Sequence, residues 1–217
     1  MANKKIGLPL ALLTLTFYFS CAHPKHQINP EAKKLNDSAM YMVVHTMPDT
    51  VTYKKAITLI NRAIKLDSNY FRAYVNKFGF QTQVAQFDSA LVTGKRIIKL
   101  RPDAYPIWQM MGSIYEVKGD TVSAKDYYNK ALITCDKIID TMRSENMAYK
   151  ITQTDKARYL ILLRKEKEGR DIFKNLNAKE PEGPFKDVLK EYLSMPRQDF
   201  IDFGQPKDVA IEANKNH

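Results

Sequence analysis

The chain has 217 residues, with 34 Lys and Arg against 24 Asp and Glu for a formal net charge of +10. That length suits one or two domains of ordinary size, and two cysteines, Cys21 and Cys135, cannot supply a disulfide framework if either is otherwise engaged. A basic excess points to nucleic acid, an anionic lipid face or an acidic protein partner.

The first element is not part of a globular domain. Lys4 and Lys5 precede a nearly unbroken apolar run from Ile6 to Phe19, shorter than the ~20 residues a membrane-crossing helix needs. A basic start, a short apolar core and a small residue at the break read as a secretory signal peptide over residues 1–20. The segment Tyr18-Phe19-Ser20-Cys21 resembles a bacterial lipoprotein signal, although Tyr18 stands where that family prefers an aliphatic residue. The resemblance implies that Cys21 is acylated and becomes the mature N-terminus, with residues 21–36 as lipid attachment and tether. Ala22 in place of Asp, and the lack of an acidic cluster in "AHPKHQINP", imply by the same resemblance an outer-membrane lipoprotein on the periplasmic face. Without Lys4 and Lys5 the net charge is +8, and export argues against nucleic acid as the partner. The densest basic cluster, Lys95, Arg96, Lys99 and Arg101, reads as a solvated helix face in preference to a docking patch. Cys135 is then the one remaining thiol. A catalytic thiol needs a His and an acid nearby, whereas His23, His26, His45 and His217 lie near the chain ends; a small buried apolar role is expected instead.

An internal repeat organises the middle of the chain. Gly112 and Tyr115 follow Trp108 at spacings of four and three, Gly119-Asp120 marks a turn with a helix cap, and Ala124, Tyr128 and Ala131 form one face of a second helix. Together with Met111 these residues resemble the tetratricopeptide repeat (TPR), a 34-residue helix-turn-helix. One step back places Tyr74 under Trp108, Phe78 under Gly112, Ala90 under Ala124 and Gly94 under Tyr128, with Pro102 closing the repeat. Gly94 and Ile97 depart from the pattern, so the second repeat is expected to pack less regularly. Another step lands on Met40, Val44, Ala56, Ile60 and Ala63. The frame runs without insertion from Asp37 to Ile138, as repeats 37–70, 71–104 and 105–138. It then slips by eleven residues and resumes as a degenerate repeat over 150–183, completing an array over 37–183. Residues Ile139 to Tyr149 are expected to lengthen the preceding helix. Pro184 opens a capping helix with Phe185, Val188, Leu189 and Leu193 on one face. From Pro196 to the end of the 184–217 segment the tail shows no helical period and is expected to be loose, apart from a dock by Phe200, Ile201 and Phe203. The fold class that follows is all-α: a right-handed superhelical solenoid of about four TPR helix-turn-helix repeats with a C-terminal capping helix. Trp108, Tyr115, Tyr127 and Tyr128 are assigned to inter-helix packing, at ~2 kcal/mol each, not to a cofactor site.

Motifs that carry chemistry are missing. There is no Gly-x-Gly-x-x-Gly, no phosphate loop at Gly94-Lys95, no Gly-x-Ser-x-Gly and no His-Glu-x-x-His. Cys21, His23 and His26 make a poor metal set, and Asp49, Asp88 and Asp120 are read as helix caps. No catalytic residue, cofactor or metal is expected. The resemblance implies instead a concave groove lined by the first helices of the hairpins. Its positions here are Arg72, Val75, Asn76, Gly79, Thr82 and Gln83, followed by Gln109, Met110, Ser113 and Glu116. Arg72 and Asn76 match part of a basic carboxylate clamp, but Pro106 and Met110 stand where its other half would be, so the clamp is rejected. The expectation is a non-enzymatic envelope lipoprotein that acts as a protein-interaction scaffold, its partner an unidentified envelope protein or peptide segment. The alternatives are an envelope enzyme, such as a glycan hydrolase, and a cytoplasmic RNA-binding helical array if the signal peptide reading fails.

Overall fold

The computed structural model describes residues 26–46 and 49–202; Cys21, His23, Phe203 and His217 lie outside the described residues. Among the described residues every regular element is a helix. They form two compact units that divide at Arg101 and Pro102.

The first unit holds α1 (Pro30–His45), α2 (Thr50–Leu66), α3 (Phe71–Gln83) and α4 (Phe87–Leu100). α1 pairs with α2 and α3 with α4, while α2 packs on α3. Asn29 starts α1 by accepting from the backbone N–H groups of Glu31 and Ala32 at 2.9 and 3.1 Å, with Pro30 in the first turn, where a missing N–H costs nothing. The tether was expected to run to residue 36, but the chain is helical from Pro30, and Ala32, Asn36 and Ala39 form the buried stripe. Val44, expected on the packed face, is exposed because it falls to one side of that stripe. Asp49 caps α2 through Thr52 at 2.7 Å. Asp88 does not cap α4: Gln86 holds the N-cap place, and Asp88 sits inside the first turn, where the helix dipole favours its charge.

The second unit holds α5 (Tyr105–Val117), α6 (Thr121–Thr141), α7 (Met147–Leu162), α8 (Glu166–Lys179), α9 (Pro184–Ser194) and α10 (Arg197–Asp202). α5 pairs with α6 and α7 with α8; α6 packs on α7 and α9 on α8. The eleven extra residues do more than lengthen α6, which ends at Thr141. They also provide the connection capped by Asn146, which accepts from the Tyr149 backbone at 3.1 Å, and the first turn of α7. The tail is not loose at Pro196: α10 is helical and buries Phe200 and Ile201.

Three hairpins share one turn. Ala85, Gly119 and Arg164 all take the left-handed conformation, with φ of 55°, 81° and 62°. The residue after each donates back to Gln81, Tyr115 or Leu160 at 2.8, 2.9 and 2.8 Å, a helix-ending pattern that consumes carbonyls otherwise left over. The spacings are 34 and 45, the second being 34 plus the eleven inserted residues. Glycine fills this position only at Gly119.

Above the turn, the helices of a hairpin meet at small residues. A Cβ on Gly112 would lie 2.6 Å from the Tyr128 ring and 3.2 Å from the Ala124 carbonyl oxygen. In the next hairpin the sizes exchange: a Cβ on Gly169 would lie 2.5 Å from the Ala157 carbonyl oxygen and 2.7 Å from Ile161. The second repeat is not loosely packed at its departures from the pattern. Phe78 is 1 % exposed at the place of Gly112, Gly94 is buried at the place of Tyr128, and Ile97 is fully buried. Large and small have traded helices.

Gly112→Leu should lower stability by ~1–3 kcal/mol in urea denaturation, because its Cβ alone already crowds the Tyr128 ring and the Ala124 carbonyl oxygen, whereas Val122→Leu on the exposed face of α6 should leave it unchanged. The shared turn gives a second test. Ala85→Gly should raise stability by ~0.5–1 kcal/mol, the left-handed strain relieved less the added chain entropy, and Gly119→Ala should lower it by a similar amount.

Candidate functional site

The positions expected to line a groove divide between the two units. In the first unit Arg72 is exposed, and Val75 and Gln83 are half-buried. Gly79 is buried, and so is Thr82, whose hydroxyl donates to the Phe78 carbonyl at 3.0 Å. Asn76 is 6 % exposed and donates to the Asn36 side chain on α1 at 2.8 Å. Its amide is spent on helix register and does not face a ligand.

In the second unit Gln109 is 4 % exposed, donates to the Ser113 hydroxyl at 2.9 Å, and Ser113 is itself fully buried. Met110 and Glu116 are half-buried. Glu116 is held on two sides. The Tyr128 hydroxyl donates to it at 2.8 Å, and Arg197 of α10 reaches both its carboxylate oxygens, at 2.8 and 3.0 Å. Burial, then the Glu116 carboxylate, pushes the Tyr128 hydroxyl well up, so it stays a donor. The same guanidinium donates to the Leu162 carbonyl at the end of α7, at 2.7 and 3.1 Å.

α10 therefore lies across α5 and α7, the first helices of both hairpins in this unit. Its apolar pair completes the hold: Phe200 is fully buried, with ring centroids 6.4 Å from Phe173 and 5.6 Å from Tyr192. Arg170 of α8 fastens the approach by donating to the Tyr192 and Met195 carbonyls. The expected dock by Phe200 and Ile201 is present, but its helical form and the Arg197 contacts were not legible in the sequence, because six residues show no helical period.

Two further buried polar groups of this unit, Cys135 and Asp155, are held within the fold. Cys135 is fully buried, its thiol bonded to the Thr152 carbonyl at 3.3 Å, and burial pushes that thiol well up. Burial also raises the Asp155 carboxyl, opposed by Arg158 at 2.9 Å and by the donating Tyr105 hydroxyl at 3.2 Å. Among the described residues no group of His, Cys, Asp and Glu could hold a metal, and no helix is long and apolar enough to cross a membrane. Two shallow concavities lie at the N-terminal end, one against α1 at Lys33, Asp37 and Tyr41, the other between His26 and Asp67. Neither touches the expected groove positions.

No family model matches the chain and no curated protein matches it. Several solved structures do, among them two of kinesin-light-chain-like, nearly identical TPR-like repeats from Podosopora anserina. One is 12 % identical, with a TM-score of 0.51 over 84 % of this chain and 91 % of that one. The other, a point variant of that protein, is also 12 % identical, with a TM-score of 0.52 over 88 % of this chain and 95 % of that one. The fold is thus that of TPR-like helical repeats.

If Arg197 is the hinge pin of α10, Arg197→Ala should cost ~1–3 kcal/mol by stranding a half-buried carboxylate. In a Glu116→Gln background the same change should cost less, and the double-mutant cycle should return a coupling of ~0.5–3 kcal/mol in urea denaturation.

Proposed function

We propose that the protein is a non-enzymatic scaffold of the bacterial envelope, anchored by lipid at Cys21, that holds short segments of partner proteins on the first helices of its hairpins. One observation carries the binding part: in the second unit that surface already holds a short helix, α10, through the forked Arg197 contact to Glu116 and the Leu162 carbonyl, while its Phe200 packs on Phe173 of α8 and Tyr192 of α9. A surface that seats six residues in this way has the chemistry to seat a partner segment. Backbone carbonyls at helix ends, a half-buried carboxylate and an aromatic floor provide it. In the first unit the corresponding candidate surface keeps Arg72, Val75 and Gln83, since Asn76, Gly79 and Thr82 are buried. In the second unit Glu116 is the contact residue; Met110 is half-buried beside the internally bonded Gln109 and Ser113.

The lipid anchor and the outer-membrane, periplasmic placing rest on Tyr18-Phe19-Ser20-Cys21 and Ala22. A non-enzymatic role is supported by the buried, up-shifted thiol and by the fold type.

A photo-crosslinking residue at position 75 in the native, membrane-borne chain should capture a discrete envelope protein, and the same probe at the exposed position 122 should not. Equal capture from both positions would refute the surface. Separately, palmitate fed to the native host should label the chain, and Cys21→Ser should remove the label and leave unprocessed or soluble protein. A variant that is still processed and retained like the parent would remove the anchor.

A further inference from the structure

The two units differ sharply in charge. Residues 26–101 carry 12 Lys and Arg against 5 Asp and Glu, a formal charge of +7, whereas residues 102–202 carry 17 against 17 and are neutral. Within the first unit the excess is concentrated on α2, which has four basic residues and no acidic one. Lys54, Lys55, Arg62 and Lys65 are all exposed. At 100° per residue they fall within an arc of about 100°, a stripe about 16 Å long, opposite the buried Tyr53, Ala56, Ile57, Ile60 and Ala63. Exposed Val51 lies within the same arc. The cluster singled out in the sequence, on α4, is less free. Arg96 donates to the Ser68 carbonyl at 2.9 Å and Arg101 lies over the Phe71 ring at 4.6 Å, both serving the fold.

The chain's N-terminal end is tied to this same helix. His26 bonds both oxygens of Asp67, the residue closing α2, at 2.7 and 2.9 Å. The backbone N–H groups of Asn29 and Asn69 donate to the same carboxylate at 3.1 Å each. Burial alone would raise the Asp67 carboxyl, but these donors hold it below its ordinary value. Cys21 is five residues before His26, a span of at most ~18 Å even fully extended.

We propose that the α2 stripe is a docking face for an anionic lipid surface, Lys54, Lys55, Arg62 and Lys65 meeting headgroup phosphates. The length of chain outside the described residues and the sign of the stripe select this occupant. Resting on the reading of Cys21 as the lipid attachment, at most ~18 Å of chain separates the bilayer from His26, which the latch on Asp67 fixes to the end of α2. Fixed cations acting over a Debye length of ~10 Å at 0.1 M salt then have an anionic surface in reach. The acyl chains supply the anchorage, and the stripe sets which face of the first unit lies down, leaving the neutral second unit without such an attraction.

The test uses the chain from residue 21 with Cys21→Ser, so that no acyl group contributes. It is co-sedimented with vesicles of phosphatidylcholine alone or with about 30 % phosphatidylglycerol, at roughly 50 and 500 mM salt. Binding is expected to the anionic vesicles only, weakened at least ~10-fold by the higher salt. The combined reversal Lys54→Glu, Lys55→Glu, Arg62→Glu and Lys65→Glu should abolish it with the circular dichroism spectrum unchanged. The equal reversal Lys125→Glu, Lys137→Glu, Lys165→Glu and Lys179→Glu in the second unit should not. No binding to anionic vesicles, or equal loss in both reversals, overturns the proposal. So does tighter binding to a free polyuridylate strand than to the vesicles, which would assign the stripe to nucleic acid. A chain that binds anionic vesicles while the native protein takes no palmitate removes the anchor and leaves the stripe. A chain that is palmitate-labelled yet ignores anionic vesicles does the reverse.

Discussion

Everything in this protein depends on how closely two short helices can approach within a hairpin. The contact is set by backbone and a missing methyl group: Gly112 against Ala124 and the face of Tyr128, then Gly169 against the Ala157 carbonyl. Helices of 13 to 21 residues are marginal alone, so their stability comes from packing one stripe against a partner. The close crossing brings the flanking large residues, Tyr128, Ile161 and Phe173, into complete burial. Which helix provides the small residue is free. Gly112/Ala124 becomes Ala157/Gly169, and Gly112/Tyr128 is mirrored by Phe78/Gly94, because only the summed volume at the crossing is constrained.

Polar groups buried at these seams fix register. Asn36 and Asn76 bond across the first and third helices at 2.8 Å, and Thr93 donates to Gln81 at 2.7 Å within a hairpin. In the second unit Tyr105, Asp155 and Arg158 play the same part. A buried amide or carboxylate that finds one partner leaves a shifted register with an unsatisfied group, which costs more than the bond itself contributes. The amides expected to meet a ligand are therefore consumed by the fold.

Charge is segregated between the units. The neutral second unit closes its own first-helix surface with α10, using Arg197 to join Glu116 to the end of α7. The first unit keeps Arg72 exposed and carries the whole basic excess, with its densest unopposed stripe on α2.

The sequence by itself determined the all-α class, the 34-residue frame and the eleven-residue slip, because helix periodicity, small residues and turn residues are local signals that survive in one dimension. It identified the caps at Asp49 and Asp120 and the packing role of Tyr128 for the same reason. It misjudged Asp88, which lies two positions inside the N-cap Gln86, Val44, which falls to one side of the buried stripe, and the start of α1, where the helix begins at Pro30 ahead of the repeat frame. Only the tertiary structure decided which polar side chains face solvent. Asn76 and Gln109 have the composition of ligand-binding amides, and their burial follows from neighbours 40 residues and one helical turn away. It also decided that six residues without helical period form α10, since their order comes from the Arg197 contacts and the aromatic floor under Phe200, not from local propensity. The latch of His26 on Asp67 is of the same kind: 41 residues separate them, and no local pattern joins two groups that only folding brings to 2.7 Å.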